Sequence, residues 1–489
     1  MMYTLNRGVR MKRLRDLVDC DYDTEITGIK INSKECEPGD LFVCTMGVTA
    51  DRHDYIDDAI EHGASAILVS KEVGNKSVPV VKVEDTNAIL PYICRDFYDR
   101  PDEKLTLISV GGTDGKTSTS TIIQTLIGSD NCGYIGTNGR TCGKFTRDTN
   151  NTTPDVDKLY MYFDEFVDAG CKYCVMETSS EAYFRHRLDH VTYSAGVITN
   201  ITSEHLNIHG TFENYLECKC MQFKRIAKDG ISVLNIDDSH YEDVLKATHG
   251  NVYTYGKNEK ADLIIKDFTV YPDHTDIVYT YEGKDYSITS PLQGDFNVYN
   301  LAGALLVVLK LGYKMDEIVE RIKDIKISGR LDLLPNLGQN FTVMVDYAHT
   351  PNGISNLLRF VHTLNINRSI VVIGQAGERD FLKRPVVGKT VCDNASYAIF
   401  CYEDPRSEDP KEICDMIVKD IEDKSKYEIV IDRSEAIKRA IYMAEENDMV
   451  LILGKGNETY EKLKTGTIYF NDEEEALKYL KERIENEKA

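Results

Sequence analysis

Apolar and polar positions change period repeatedly along the chain. In the first 103 residues, the runs "EITGIKI", "GDLFVCT" and "VPVVKV" have strand-like apolar content, and "YIDDAIEHGASAILVS" couples a helical pattern to a further strand. This alternation predicts a small α/β unit. "RPDEKLT" is polar and proline-marked and reads as a linker. From residue 104, "LTLISVGGTDGKTSTSTIIQTLI" gives strand, glycine loop and helix. "KYCVMETSS" and "SAGVITNITSEH" are apolar strands that end on polar residues, and "NVYNLAGALLVVLKLGY" is a long helix. From residue 332, the strand runs "FTVMVDYAH", "SIVVIGQ", "YAIFCYE" and "DMVLILGKG" alternate with helical runs such as "PNGISNLLRFVHTL" and "RSEAIKRAIYMAEE". That order predicts a doubly wound, Rossmann-like parallel sheet with ligand residues at the strand C-termini. The charged residues after Asn471 read as a solvated helix face. The expected division is three α/β domains: residues 1–103, a central block at 104–331 with a mostly parallel sheet, and residues 332–489.

Composition narrows the function classes. The chain has 489 residues, 42% of them hydrophobic, enough for several cores. No apolar run reaches the ~18 residues that suggest a membrane span, so no membrane insertion is expected. The stretch "MMYTLNRGVRMKRLRDLVDC" is basic but lacks an apolar core and a small-residue cleavage site, unlike a signal peptide. Thirteen scattered cysteines without zinc spacing read as free thiols of a reducing cytoplasm. A formal net charge of −22 disfavours nucleic acid as a partner. A small anion can still be gathered by local lysines, arginines and backbone N–H groups.

"GGTDGKTS", Gly111 to Ser118, is the sharpest chemical signal. Glycines let a backbone fold around phosphates, and the following helix offers N–H donors and a positive dipole end. Lys116 can reach phosphate oxygens and Thr117 can hold Mg²⁺. Val110 occupies the first glycine position of the strict motif, so the loop departs from the common pattern. A Gly-rich turn with an exposed lysine is the plainer alternative.

"GTDGKTS" resembles the G-T-N-G-K-T loop of the Mur ligases and folylpolyglutamate synthetases. The resemblance then runs nearly end to end, most of all to the MurE-type UDP-MurNAc-tripeptide synthetases. "ITGIKINSKECEPGDLFVCTMG" is similar to their uridine-binding domain, with Asn32-Ser33-Lys34 in place of D-S-R. "NTTPD", "METSSEAYFRHR" and "TNITSEHLNIHGTFENYLECK" follow in order. "VDYAHTP", "GERDFLKRP", "EDPR" and "GKGNE" complete the series in the last block. The resemblance implies an ATP-dependent amide ligase of peptidoglycan precursor synthesis, cytoplasmic and monomeric. It would add the third amino acid to UDP-MurNAc-L-Ala-D-Glu through an acyl phosphate.

The same resemblance assigns roles. Gly112, Thr113, Asp114, Gly115, Lys116, Thr117 and Ser118 would cradle ATP, together with Asn297, Asn300, Arg330 and Asp346. Thr117, Glu177, His205 and a carbamylated Lys219 would hold Mg²⁺. Lys116, Glu177, His205 and Lys219 form the catalytic set. From spacing alone, His205 suits a hydrogen-bonded turn residue, Lys219 a helix-surface residue, and the two asparagines helix N-caps. Glu204 stands where the family has Asp, and Asn352 replaces the Asp after "HTP". Ser33, Asn151, Thr152, Thr153, Ser179 and Arg187 would bind the nucleotide-sugar dipeptide. Ser33 equally suits a turn before "EPGD".

The amino-acid pocket would comprise Arg379, Glu403, Asp404, Pro405, Arg406, Gly454 and Glu458. Enzymes that add meso-diaminopimelate carry D-N-P-R, whose Arg grips the distal carboxylate. Arg406 keeps that group, so meso-diaminopimelate is the expected substrate, with L-lysine or another amino acid as alternatives. Arg406 could instead pair with Glu408 or Asp409. Asp404 for Asn would repel a substrate carboxylate unless Arg406 or Arg379 compensates. Glu403 and Asn457 are further departures, for Asp and His. They leave open a nucleotide-binding paralogue that no longer ligates. A folylpolyglutamate synthetase fits the N-terminal domain and "NTTPD" poorly.

Overall fold

A computed structural model describes residues 10–47, 50–149 and 151–488, with side chains through 486. The first nine residues of the stretch read against a signal peptide lie outside the described residues. The chain divides into two units. The first runs to Ser109 and adds Gly128–Thr178 and Ala182–Ala195; the second holds Val110–Ile127, Ser179–Glu181 and everything from Gly196.

The N-terminal strand runs of the first unit pair as expected. Gly28–Lys30, Asp40–Val43, Ala66–Val69 and Val80–Lys82 lie parallel in that order. Phe42, Ile67 and Val69 pack with Ile56 and Ala59 of the preceding helical turns. "RPDEKLT" is not a loose linker. Pro101–Glu103 forms a 3-10 turn with Pro101 buried, and Arg95 Nε clasps both Asp102 oxygens at 3.0 and 2.8 Å. In the same unit Cys132–Gly136 runs parallel to Tyr173–Glu177 and antiparallel to Gly139–Cys142. That register sets Glu177 at a strand C-terminus.

In the second unit the phosphate-loop helix, Lys116–Ile127, packs against Asp295–Lys310, a helix apolar on nearly every side. Residues 226–290, which carried no strand prediction, form five strands. Ile226–Asn235, Asn251–Gly256 and Leu263–Val270 are parallel, but Thr275–Tyr281 and Lys284–Ser290 fold back antiparallel. The reversal turns at Glu282 (φ 49°) and Gly283 (φ 73°), two consecutive positive φ values that match the twist of a tight hairpin. The sheet is therefore mixed rather than mostly parallel at this flank.

The last block is doubly wound, with strand order Asp332–Leu333, Thr342–Asp346, Met449–Leu453, Ser369–Ile373, Tyr397–Phe400, Tyr427–Ile429. All its pairings are parallel except the first. Its strands are apolar on both faces, and alternate residues serve opposite layers. Val371 and Ile373 pack with Leu357, Val387 and Ile413, while Ile370 and Val372 pack with Ile437, Ile441 and Leu480. The C-terminal helix Asp472–Lys488 is thus not only a solvated face. Tyr479 and Leu480 are buried, and Asp472, fully buried, clasps Arg433 at 2.8 and 2.7 Å. None of the thirteen cysteines forms a disulfide; twelve are buried and Cys20 is half-buried.

Candidate active site

The phosphate loop is built on close approaches that only glycine permits. Gly112 (φ 135°) and Gly115 (φ 83°) take left-handed backbone. A Cβ on Gly112 would lie 1.8 Å from Thr199 Oγ1, and one on Gly115 2.4 Å from Asn300 Oδ1. Thr113 Oγ1 meets the Tyr215 hydroxyl at 2.7 Å and accepts from Thr202 N at 2.9 Å. Lys116 Nζ donates to Gly112 O and Thr113 O at 3.0 and 2.8 Å. Lys116 is therefore folded back on its own loop, not an exposed lysine on a turn. Thr117 and Ser118 are buried in the first helical turn.

Lys219 reaches the same carbonyl. Its Nζ donates to Gly112 O at 2.6 Å, and the residue is 4% exposed on the Phe212–Lys224 helix. This overturns the helix-surface reading. Burial, then the Lys116 charge, hold its amine well below the ordinary lysine range. His205 takes a left-handed backbone (φ 57°) ahead of Leu206–His209. Burial, reinforced by the nearby lysines Lys383, Lys219 and Lys116, keeps its imidazole neutral. Glu204 pairs with Lys383 Nζ at 2.8 Å; Lys383 belongs to "GERDFLKRP".

Asn297 and Asn300 do not cap a helix. The N-cap of Asp295–Lys310 is Gly294, and the asparagines sit inside the helix. Asn297 Nδ2 donates to Gln293 O at 2.8 Å, and Asn300 Nδ2 to Asn297 Oδ1 at 3.0 Å. Arg330 Nη2 donates to Thr117 Oγ1 at 3.4 Å, and its guanidinium lies 4.4 Å from the Tyr347 ring centroid. Asp346 accepts from Leu331 N and Ala348 N at 2.8 and 2.6 Å.

Two departures from the family pattern stand face to face. Asp114, where the family loop has Asn, accepts from Asn352 Nδ2 at 2.8 Å; Asn352 stands where the family has Asp. In this chain the donor is at 352 and the acceptor at 114. Thr350 Oγ1 donates to the other Asp114 oxygen at 2.9 Å.

In the first unit, Glu177 is fully buried and takes three donors. Its Oε1 accepts from the Tyr134 hydroxyl at 2.5 Å and Thr137 N at 3.0 Å, and its Oε2 from Thr137 Oγ1 at 3.2 Å. The "NTTPD" loop is tied to the same strand end, because Thr153 Oγ1 donates to Glu177 O at 2.9 Å. Arg187 pairs with Asp155 at 2.7 Å and donates to Thr153 O at 3.3 Å. Thr152 is half-buried and Asn151 exposed. Ser33, 5% exposed, opens the 3-10 turn Ser33–Glu35. Ser179, in the second unit, is half-buried.

In the last block, Arg406 pairs with neither proposed surface acid. Glu408 binds Arg384 at 2.8 and 3.1 Å, and Asp409 caps Pro410–Ile417. Arg406 Nη1 instead donates to Gly377 O at 2.6 Å, and Arg406 makes no ion pair among the described residues. Arg379 is exposed. Burial, then the Arg406 charge with Arg379 behind it, depress the Lys462 amine, so three cations crowd one region. Asp404 is compensated, though not by the arginines. Lys455 Nζ lies 2.9 Å from its Oδ1, and Lys462 N donates to the same oxygen at 3.1 Å. Lys455 also pairs with Glu458 at 3.1 Å. Glu403 Oε2 is buried without a hydrogen-bond partner and lies 2.1 Å from where a Gly454 Cβ would be. Pro405 is buried between Asp404 (φ 42°) and Arg406 (φ 53°), both held in left-handed backbone.

Lys455, Lys383, Thr350 and Tyr215 escaped the sequence reading. Only Lys455 left a signal, a lysine flanked by two glycines at a strand end. Among the described residues, no three His, Cys, Asp or Glu side chains cluster as a ready metal cage. Thr117 Oγ1, in the first turn of the phosphate-loop helix, is a hard oxygen donor of the kind that suits Mg²⁺.

Three family descriptions match the chain in series. "Mur ligase family, catalytic domain" covers residues 25–98, "Mur ligase middle domain" 110–308, and "Mur ligase, glutamate ligase domain" 329–456. A UDP-N-acetylmuramoyl-L-alanyl-D-glutamate–2,6-diaminopimelate ligase of Clostridium perfringens is 34% identical over 94% of this chain and 96% of its own. Its Aquifex aeolicus counterpart is 36% identical over 91% and 92%. A solved structure of such a ligase superposes with TM-score 0.64 at 26% identity, over 97% and 99% of the two chains. A Thermotoga maritima MurF ligase in complex with ADP superposes with TM-score 0.65 at 19% identity, over 94% and 98%. With near-complete coverage in both directions, the chain belongs to the Mur ligase family.

Proposed function

We propose that this ligase joins meso-diaminopimelate to UDP-MurNAc-L-Ala-D-Glu at the cost of ATP, in cytoplasmic peptidoglycan precursor synthesis. The observation that carries the reading is the shared grip of Lys116 and Lys219 on Gly112 O, which arms a phosphate loop with two amines. The γ-phosphoryl group passes to the D-Glu carboxylate and ADP leaves. The amino-acid amine then attacks the acyl carbon, phosphate departs, and the amine loses a proton. The protein's part is charge neutralisation and alignment.

Lys116 faces the phosphates, with the remaining loop residues Gly112–Ser118 around them. Asn297 and Asn300 serve the adenine side, and Arg330 and Asp346 the γ-phosphate and ribose. Thr117, Glu177, His205 and Lys219 are the proposed Mg²⁺ residues, and Mg²⁺ supplies Lewis-acid stabilisation of the phosphoryl oxygens. Lys219 is buried, and its amine is held below the ordinary lysine range, which favours the neutral form that carbamylation requires. Ser33, Asn151, Thr152, Thr153, Ser179 and Arg187 bind the nucleotide-sugar dipeptide. Arg406 and Arg379 take substrate carboxylates, and Glu403 and Glu458 the distal ammonium; Asp404, Pro405 and Gly454 shape that pocket. The chain acts as a monomer of three domains bounded near residues 103 and 331.

The test supplies ATP, Mg²⁺ and UDP-MurNAc-L-Ala-D-Glu with a panel of amino acids and weighs the product. A diaminopimelate adduct with stoichiometric phosphate is expected. Incorporation of lysine or ornithine alone would replace the substrate assignment. ATP binding without substrate-dependent phosphate release would mark a non-ligating paralogue.

A further inference from the structure

In the phosphate loop, Asp114 is held by its neighbours through both main chain and side chain. Asp114 N donates to Asn200 Oδ1 at 3.1 Å, and Asp114 O accepts from Thr199 Oγ1 and Asn200 Nδ2 at 2.5 and 3.1 Å. Those bonds fix the main chain. Both side-chain oxygens are then taken by the first turn of the Pro351–Val361 helix: Oδ1 by Thr350 Oγ1 and Oδ2 by Asn352 Nδ2. Thr350 is also that helix's N-cap and accepts from Gly353 N at 2.9 Å. Gly353 leaves room for the approach, since a Cβ there would lie 3.6 Å from Asp114 Oδ1 and 2.9 Å from Thr350 Oγ1. The carboxylate therefore sits at the positive end of an eleven-residue helix and meets two neutral donors. A polyanion must bind beside this carboxylate if the loop takes a nucleotide triphosphate, so its charge has to be turned away and neutralised.

We propose that Thr350 and Asn352 are positioning residues for the phosphate loop: through the Asp114 carboxylate they hold Gly112–Lys116 in its phosphate-receiving form. The amide at 352 suits a carboxylate at 114, because Asn352 Nδ2 can donate to it and an ionised aspartate at 352 could not. The inference rests on the ATP-binding reading of this loop and is independent of which amino acid is added.

The test titrates full-length protein with ADP and with a non-hydrolysable ATP analogue, and separately measures KM for ATP and kcat. Asn352→Asp sets two carboxylates face to face and is expected to weaken nucleotide binding and raise KM for ATP about 10- to 100-fold. Combining it with Asp114→Asn restores one donor against one acceptor and is expected to return nucleotide affinity to within a few fold of wild type. Asn352→Ala, which adds no charge, gives a smaller rise in KM and keeps the variant foldable if Asn352→Asp is not. Nucleotide affinity unchanged in folded Asn352→Ala, or no recovery in the double variant, overturns the proposal. Wild-type protein that binds nucleotide but ligates no diaminopimelate would revise the substrate and leave this inference standing.

Discussion

A lysine that donates to a loop carbonyl from a buried helix face has few ordinary structural duties. Lys219→Ala removes the 2.6 Å bond to Gly112 O and the group proposed for carbamylation. Turnover is expected to fall about 100-fold or more, read as substrate-dependent phosphate release, with the fold retained by circular dichroism. Wild-type turnover would remove Lys219 from the catalytic set. For Arg406, whose guanidinium makes no ion pair among the described residues, Arg406→Ala is expected to raise KM for diaminopimelate about 10- to 100-fold and barely change KM for ATP. Equal loss for both substrates would indicate a folding role. Glu461 belongs to stability instead. It is 1% exposed, its Oε1 has no hydrogen-bond partner, and burial pushes its carboxyl up to about 7. Between the ordinary carboxylate value and about 7 the folded state binds the extra proton, so stability falls as pH rises through that window. Glu461→Gln is expected to raise Tm by about 2–4 °C at about pH 8 and to match wild type at about pH 5. An equal shift at both pH values would contradict this.

At the scale of elements, the C-terminal helix is fastened by one fully buried ion pair. Asp472 opens Asp472–Lys488 and Arg433 opens Arg433–Met443; Arg433 Nη2 also donates to Leu453 O at 2.9 Å. Asp472→Ala leaves a guanidinium uncompensated in the core and is expected to cost about 3–5 kcal/mol, read from the urea midpoint. A loss under about 1 kcal/mol would mean that water reaches Arg433. This pair also shows what sequence reading reaches. The strand runs ending in Asp346, Glu177 and Gly454 were legible because apolar runs closing on polar or glycine residues are local signals. The strands in 226–290 were not, because their half-polar faces gain meaning only from partners far along the chain. The same holds at the site. The phosphate loop was readable from glycine spacing, whereas the Lys455 counter-charge to Asp404 and the Asn352 contact with Asp114 depend on three-dimensional pairing. Asp472 was misread for that reason: an acid in a charged run looks solvated until its arginine is known.

For the whole molecule, charge is the dominant long-range property. At a net charge of −22, the chain attracts anionic substrates only through local cation clusters such as that around Lys462, Arg406 and Arg379. It is expected to ignore double-stranded DNA at about 0.1 M salt in a mobility-shift assay. Salt-sensitive DNA retention would mean that a basic surface outweighs the net charge. No helix among the described residues is long and apolar enough to cross a membrane.

The thiols, none of them in a disulfide, give the molecule a built-in clock. Twelve are sealed in the interior, and burial pushes the thiols of Cys36, Cys44 and Cys414 up to about 12. Even Cys142, whose thiol is lowered by its hydrogen bond with Cys171, is 8% exposed. A maleimide or disulfide dye added to the native chain finds one ready partner, Cys20. The remaining labels arrive only as each region breathes, so mass spectra taken over time would rank the parts of this ligase by how often they open, with and without nucleotide.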